Sequence, residues 1–140
     1  MSVAADTHLG TVLVVDDEPF FADALAAMLQ DDGFTVVGIE SNGEAAVAAV
    51  LRLGPDIVLM DLRMPVMDGI EAARRIAVAS PFTQVLMLSA YEEISLREEA
   101  AANGVYCYLV KGCPPELLLD MVRKALIHRA GLERRAAAGG

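Results

Sequence analysis

Residues 56–69 read DIVLMDLRMPVMDG, an apolar run that ends in an aspartate and continues into a loop. Positions 57–60 are all apolar, so a strand formed there has two apolar faces, which is typical of a parallel sheet covered by helices on both sides. Asp61 follows the run directly. Pro65 fixes one backbone angle and Gly69 permits conformations closed to other residues, which indicates a shaped loop leading into the next helix.

The same pattern, a short apolar run followed by a helical segment, recurs along the chain. The apolar runs lie at 12–15, 34–39, 57–60, 85–88 and 105–110, and the segments with helical spacing lie at 19–31, 43–53, 69–79, 93–103 and 115–130. Five strand–helix pairs with short connections predict an α/β fold, a doubly wound five-stranded parallel sheet with five helices.

Composition supports a single globular unit. The chain has 140 residues, of which 55% are hydrophobic and 22% are charged, so a hydrophobic core is expected. We divide it into an N-terminal extension at 1–10, a domain at 11–128, and a basic, Ala- and Gly-containing tail at 129–140 that is also a candidate for the start of a linker.

Charge and hydropathy exclude several classes of function. The formal net charge of −9 repels phosphate backbones, so we predict no direct binding of nucleic acid. No apolar stretch approaches the roughly 18 residues that cross a bilayer. The N-terminus has no basic residue followed by an apolar segment, as a secretory signal would have. We therefore expect no membrane association and a cytoplasmic location.

Polar side chains follow four of the five apolar runs. Asp16 and Asp17 come after the first run, Asp61 after the third, Ser89 after the fourth and Lys111 after the fifth. Taken singly, an acidic pair can be a solvated helix start, and a serine or lysine can belong to an ordinary turn. In an open parallel sheet, however, ligands bind at the carboxyl ends of the strands. We therefore expect these groups to converge on one site.

The chemistry of these groups is consistent with phosphoryl transfer. Clustered carboxylates repel one another unless a cation lies among them, and oxygen ligands without sulfur or histidine favour Mg²⁺, with Mn²⁺ as a substitute. Asp61, alone after a central strand, is the predicted nucleophile towards a phosphoryl group. Asp16 and Asp17 are predicted to hold the metal. Ser89 and Lys111 are predicted to bind the phosphoryl oxygens, where charge develops.

Four stretches, in this order, resemble the receiver domains of two-component response regulators. They are VVDDE at 14–18, DIVLMDLRMPVMDG at 56–69, LSAY at 88–91 and YLVK at 108–111, within a region of about 11–128. The resemblance implies a flavodoxin-like fold with strand order 2-1-3-4-5. It also implies a phosphoacceptor signalling switch that catalyses only its own phosphorylation and dephosphorylation, and is not otherwise an enzyme.

The resemblance assigns roles around the metal. A sensor histidine kinase or a phosphotransfer protein would donate a phosphoryl group to Asp61 in the presence of Mg²⁺. Asp17 and Asp61 would contact the ion directly, together with the main-chain carbonyl of Arg63. Asp16 would act mainly through water.

The resemblance also assigns a switch. Ser89 and Lys111 would close on the phosphoryl oxygens while Tyr108 turns inward, and this would rearrange the surface formed by the fourth helix, fifth strand and fifth helix. Arg63 and Tyr91 occupy the two variable positions that tune how fast such domains lose the phosphate.

The expected downstream partner is an effector protein or a C-terminal output domain, and phosphorylation-dependent homodimers are a further expectation. Lys111 is followed by Gly, a small residue and Pro, which resembles receivers attached to helix-turn-helix transcription factors. The chain is therefore expected to be either a single-domain regulator or the N-terminal fragment of a transcriptional regulator.

Two other classes use related parts. A phosphohydrolase of the haloacid-dehalogenase kind also uses Asp, Mg²⁺, Ser or Thr, and Lys, but its nucleophile follows the first strand, with a second Asp two residues later. Here Asp16 and Asp17 are adjacent, and 140 residues leave no room for a cap domain. A dinucleotide-binding module requires a Gly-rich turn after the first strand, which this chain lacks.

Overall fold

Every strand is followed by a helix along residues 8–139, which are the residues that the computed structural model describes. The strands are β1 (Thr11–Val15), β2 (Thr35–Glu40), β3 (Ile57–Met60), β4 (Gln84–Ser89) and β5 (Val105–Val110). The helices are α1 (Pro19–Asp31), α2 (Gly43–Leu53), α3 (Gly69–Ala79), α4 (Ile94–Ala102) and α5 (Pro115–Gly139). The element ends agree with the predicted ones to within about one residue, except at the end of α5.

The strands form one parallel sheet in the order β2-β1-β3-β4-β5, which confirms the predicted doubly wound, flavodoxin-like α/β fold. The order reverses at β1, because the chain first adds β2 on one side and then returns to add β3 on the other. Val12 pairs with Ile57 and Val15 pairs with Met60. The residues that follow β1 and β3 therefore emerge side by side.

Both faces of the sheet are buried under helices, as the apolar runs predict. Leu13 and Met60 belong to the core on the side of α2, α3 and α4. Val12 and Val14 belong to the core on the side of α1 and α5. Strands β3 and β4 are buried along their whole length, whereas β2 is only partly covered, because it lies at an edge of the sheet.

Side-chain caps fix the starts of two helices. Oδ1 of Asn42 accepts a hydrogen bond from the N–H of Ala45 at 2.8 Å, and Oδ1 of Asp68 accepts one from the N–H of Glu71 at 2.9 Å. Such caps satisfy backbone donors that the helix itself leaves free. The cap at Asp68 sets where α3 begins, and so it bounds the loop that follows Asp61.

Helix α5 is longer than its predicted range of 115–130 and runs to Gly139. Arg129 pairs with Asp56 at 3.0 Å and with Glu133 at 2.8 Å, and the alanines at 136–138 have high helix propensity. Residues 129–139, predicted as a tail or linker, therefore continue the helix. Residues 1–7 of the predicted N-terminal extension and Gly140 lie outside the described residues. No helix within 8–139 is long and apolar enough to cross a membrane.

Candidate functional site

Three carboxylates meet at the carboxyl ends of β1 and β3. Asp16 and Asp17 follow β1 and Asp61 follows β3, whose alignment is continued by a hydrogen bond from the N–H of Asp61 to the carbonyl of Val15 at 2.9 Å. One carboxylate oxygen from each aspartate lies within 4.8 Å of the other two. Asp16 and Asp61 are 4% and 7% exposed, whereas Asp17 faces solvent. The cluster therefore has a buried floor and an open side.

Backbone donors orient the two buried carboxylates. The N–H of Glu18 donates to Oδ1 of Asp16 at 2.9 Å, and the N–H of Leu62 donates to Oδ1 of Asp61 at 2.8 Å. These hydrogen bonds fix the direction in which each carboxylate points. In each case the second oxygen, Oδ2, faces Lys111.

Lys111 is the cation of the site. Its backbone N–H donates to the carbonyl of Ser89 at 2.7 Å, which fixes the end of β5 against β4. Its Nζ lies 2.9 Å from Oδ2 of Asp16 and 3.5 Å from Oδ2 of Asp61. The same Nζ lies 2.9 Å from Oε1 of Glu18 and 4.6 Å from the centroid of the Phe21 ring. One ammonium group thus serves three carboxylates and one aromatic face.

Burial and neighbouring charge shift two pKa values. Burial raises the pKa of Asp61 from 3.8 to about 6, because the attraction of Lys111 does not compensate for desolvation and for repulsion by Asp16. Burial acts in the opposite sense on Lys111, but hydrogen bonds to Asp16 and Glu18 raise the pKa of the amine above its usual value. Lys111 is therefore firmly charged, while the negative charge of Asp61 is incompletely compensated.

Ser89 is fully buried at the end of β4, and its Oγ accepts a hydrogen bond from the N–H of Tyr91 at 3.1 Å. The guanidinium of Arg63 lies 5.3 Å from the centroid of the Tyr91 ring, within the range of a cation–π contact. Arg63 and Tyr91, which the sequence places on separate loops, are therefore neighbours. In the described part of the chain, the hydroxyl of Ser89 has no hydrogen bond to Asp61.

Tyr108 is buried and is held by the loop and helix beside it. Its hydroxyl donates to the carbonyl of Tyr91, and its own carbonyl accepts a hydrogen bond from Nη1 of Arg97 at 2.9 Å. The Arg97 guanidinium also lies 4.9 Å from the centroid of the Tyr108 ring. Tyr108 therefore joins β5, the β4–α4 loop and α4, but within residues 8–139 it makes no hydrogen bond to Asp61.

The loop between Asp61 and α3 turns back against the site. A Cβ atom at Gly69 would overlap the carbonyl oxygen of Asp61, so only glycine fits this close approach. The N–H of Gly69 donates to the carbonyl of Leu62 at 2.8 Å, which closes the loop. Val66 at the loop tip has φ 71°, a left-handed conformation that β-branched residues rarely adopt. The predicted shaped loop is therefore present, and it is strained at one residue.

Some participants were not singled out from the sequence. Glu18 ends the stretch VVDDE after the first apolar run, but the sequence does not predict its contact with Lys111, and Phe21 is one of several apolar residues of α1. Arg97 lies in a charged run that reads as a solvated helix face. Glu18 and Phe21 contact Lys111, and Arg97 contacts Tyr108. Each contact joins different elements of the fold, so no local sequence pattern predicts it.

The donor set matches a small, hard divalent cation. Carboxylate oxygens on the buried floor, with Asp17 on the open side, are the ligands that Mg²⁺ prefers, and their mutual repulsion favours a cation among them. Lys111 supplies a second positive charge beside Asp61. A buried carboxylate beside Lys111, in a cluster that can hold a cation, forms an environment that can accept an anionic phosphoryl group.

Residues 12–123 match the family described as response regulator receiver domain. The chain is 38% identical over 135 residues to the positive alginate biosynthesis regulatory protein of Pseudomonas aeruginosa, over 92% of this chain and 54% of that protein. It is 52% identical over 101 residues to a protein-glutamate methylesterase/protein-glutamine glutaminase of Natronomonas pharaonis, over 71% of this chain and 28% of that protein.

The fold matches that of the signal receiver domain of NarL from Mycobacterium tuberculosis, with a TM-score of 0.80 and 30% identity, over 85% of this chain and 97% of that domain. The chain spans about half or less of the length of the curated relatives that it matches. The likeness therefore extends over a complete receiver domain and over only part of the longer relatives.

Proposed function

The chain belongs to the family of response regulator receiver domains, and we propose that it is the phosphoacceptor switch of a two-component system, with Asp61 as the phosphoacceptor. The observation that carries this proposal is the position of Asp61. Its carboxylate is buried, oriented by a backbone donor, and set between an acidic cluster and Lys111.

In the proposed metal site, Asp17 and Asp61 would hold Mg²⁺ or Mn²⁺ directly, together with the main-chain carbonyl of Arg63, and Asp16 would act mainly through water. The bound ion would neutralise charge on the phosphoryl oxygens. The raised pKa of Asp61, about 6, supports this proposal, because it reports a buried carboxylate whose charge is incompletely compensated. Asp17, on the open side of the cluster, is suited to hold the ion where a phosphodonor approaches.

In the proposed reaction, a carboxylate oxygen of Asp61 attacks the phosphorus of a phosphohistidine on a histidine kinase or phosphotransfer protein. An O–P bond forms, the P–N bond breaks, and the leaving imidazole nitrogen keeps the bonding electron pair and takes a proton. Lys111 pairs with a phosphoryl oxygen, and the Ser89 hydroxyl donates to another. Hydrolysis of the acyl phosphate, in which water takes the phosphoryl group and releases inorganic phosphate, regenerates the Asp61 carboxylate.

The proposed switch starts at Ser89. Its Oγ accepts from the N–H of Tyr91, so a displacement of Ser89 towards a phosphoryl oxygen would carry the β4–α4 loop with it. The carbonyl of Tyr91 in turn accepts from the hydroxyl of Tyr108, which is already buried, so movement of this loop would change the contact that holds the Tyr108 ring in place. Arg63 packs on Tyr91 over the same loop, and we propose that this pair tunes the rate at which the phosphate is lost.

The proposed readout is a change in the surface formed by α4, β5 and α5. Several longer relatives are transcriptional regulators, so a C-terminal output domain is the favoured target, with a separate effector protein or a phosphorylation-dependent homodimer as alternatives. We propose no activity on other substrates, no direct contact with nucleic acid, and a cytoplasmic location, where a kinase would supply the phosphoryl group.

The test is the intact mass of the protein after incubation with Mg²⁺ and acetyl phosphate. We expect one added phosphoryl group in the wild type and none in Asp61→Asn or without Mg²⁺. Asp68→Asn is the matched control, because Asn also caps helices and Asp68 lies in the same loop. Full labelling of Asp61→Asn would contradict the assignment. Repeated turnover of phosphomonoesters would instead indicate a phosphohydrolase.

A further inference from the structure

Lys111 has a carboxylate partner outside the acidic cluster. Oε1 of Glu18 lies 2.9 Å from its Nζ, as close as Oδ2 of Asp16 and closer than Oδ2 of Asp61 at 3.5 Å. The Glu18 side chain is 68% exposed, whereas that of Lys111 is only 13% exposed. A solvated carboxylate thus pairs with an ammonium group that is largely shielded from solvent.

This contact has no evident part in building α1. Glu18 is the N-cap residue of that helix, but its side chain makes no capping hydrogen bond there. Its backbone N–H, which donates to Asp16, does not depend on the side chain. The Glu18 carboxylate can therefore be changed without removing a helix cap or an orienting bond of the site.

The three partners of Lys111 differ in what they do when the site is loaded. In the proposed function, Asp16 and Asp61 share their negative charge with a metal ion, and Asp61 carries the phosphoryl group. Glu18 lies outside that cluster and keeps its full charge for Lys111. The Glu18 carboxylate and the phosphoryl oxygens then compete for one ammonium group.

The geometry also allows Lys111 to move between these partners. The face of Phe21 lies 4.6 Å from Nζ and supports the ammonium group independently of any carboxylate. A shift of the side chain between Glu18 and Asp61 therefore requires no full exposure to solvent and no change in the backbone at the end of β5.

We propose that Glu18 is a positioning residue that holds Lys111 away from the phosphoryl group on Asp61 and so weakens the phosphorylated state. The inference rests on the proposed function. Glu18 therefore sets how strongly a phosphodonor drives the switch. A receiver with this contact therefore needs more phosphodonor to reach the same degree of phosphorylation than the same receiver without it.

The experiment measures the affinity for beryllofluoride, a non-covalent phosphoryl mimic, in the presence of Mg²⁺ by the change in tyrosine fluorescence. Glu18→Gln removes the charge and keeps the size of the side chain, and we expect binding to tighten roughly two- to fivefold, as suits a half-exposed ion pair. Glu18→Asp keeps the charge but shortens the reach, and we expect most of the same tightening.

Glu40→Gln is the matched control. Glu40 ends β2 at the same edge of the sheet, and its side chain has no ion pair within residues 8–139, so the variant makes the same change in net charge without touching Lys111. We expect its affinity to stay within the error of the wild type. Equal tightening in Glu40→Gln would mean a general charge effect and would overturn the inference.

The outcomes separate the two proposals. Wild-type protein that binds no beryllofluoride and takes up no phosphoryl group would remove the proposed function, and the role of Glu18 with it. Wild-type protein that binds, alongside Glu18→Gln with equal or weaker affinity, would overturn only the role of Glu18. Far-ultraviolet circular dichroism and melting curves of each variant establish that the comparison is made between folded proteins.

Discussion

Oδ2 of Asp61 lies 3.5 Å from Nζ of Lys111, whereas Oδ2 of Asp16 lies 2.9 Å from the same nitrogen. Lys111 therefore forms its closer aspartate ion pair with Asp16 and not with Asp61, the proposed phosphoacceptor. Asp61 is left buried, beside a cation that is already shared, and burial raises its pKa to about 6. This imbalance has a measurable effect on stability.

The first prediction concerns pH in the absence of divalent metal. Because the pKa of Asp61 rises from 3.8 unfolded to about 6 folded, its ionisation costs stability, and the free energy of unfolding falls as pH rises between these values. We expect Asp61→Asn to be more stable than the wild type at pH 7.5 by about 1–3 kcal/mol. Urea unfolding with EDTA at pH 4 and pH 7.5 measures the difference.

At pH 4 the same difference should be nearly absent, because Asp61 is then largely protonated in the folded protein. A constant gap between the two proteins from pH 4 to 7.5 would contradict this assignment and would point instead to packing around the amide.

The second prediction concerns Mg²⁺. A ligand that binds only the folded protein stabilises it by mass action, by about 2.7 kcal/mol at one hundred times the dissociation constant. We therefore expect millimolar MgCl₂ to raise the melting temperature of the wild type above that in NaCl of equal ionic strength. Asp17→Asn should lose most of this increase, since it removes the exposed member of the cluster. Differential scanning fluorimetry makes the comparison.

Glu40→Gln should keep the full Mg²⁺ response, because Glu40 changes net charge equally but lies outside the cluster. A wild-type melting curve that does not respond to MgCl₂ would mean that the three aspartates are not a metal site.

The third prediction concerns Val66. Its φ of 71° costs a residue with a Cβ atom roughly 1–2 kcal/mol, whereas glycine adopts this conformation freely. Val66 is 75% exposed, so its side chain contributes little packing. The greater conformational entropy of glycine in the unfolded chain offsets part of this gain. We therefore expect Val66→Gly to raise the free energy of unfolding by about 0.5–1 kcal/mol.

Val78 provides the control, since it is 79% exposed but lies in α3. Val78→Gly should destabilise the protein, because glycine is a poor helix former. If both substitutions change urea stability in the same direction, the backbone at Val66 is not strained.

The fourth prediction concerns the attachment of the long helix. Arg129 and Asp56 are about one-fifth exposed, and Asp56 also accepts hydrogen bonds from the N–H and hydroxyl of Thr11 at 2.9 and 3.2 Å. Arg129→Ala should lower the free energy of unfolding by about 1–2 kcal/mol, because it leaves a partly buried carboxylate without its cation. Thermal melts measure the loss, and Arg134→Ala, at an exposed position of the same helix, should cause less than half of it.

Most of the strands and helices can be predicted from local sequence patterns. Apolar runs that are buried on both faces predict the strands, and the switch from Val- and Ile-rich runs to Ala- and Leu-rich segments predicts the helices. The end of α5 could not be predicted in this way. Its Ala-Gly composition resembles a linker, and the contact that anchors it, between Arg129 and Asp56, spans half of the chain.

The site shows the same division. The rule that ligands bind at the carboxyl ends of strands brings Asp16, Asp61 and Lys111 together, and the structure places them in contact. Their chemical roles remain predictions. Which carboxylate comes closest to Lys111 depends on rotamers at three strand ends, and the stacking of Arg97 on Tyr108 depends on how α4 lies against β5. No spacing along the chain encodes either contact.

The strand order also determines how the chain must fold. None of the five strands within residues 8–139 pairs with another through a tight hairpin. The paired residues are Thr11 with Thr35, Val12 with Ile57, Ile57 with Gln84 and Val85 with Val105, so the shortest separation among these is 20 residues. Each pairing requires a long loop to close before any contact across the sheet offsets the lost chain entropy. Refolding on the millisecond-to-second timescale is therefore expected. Strand β1 pairs with its central partner β3 only when a loop of about a third of the polypeptide has closed.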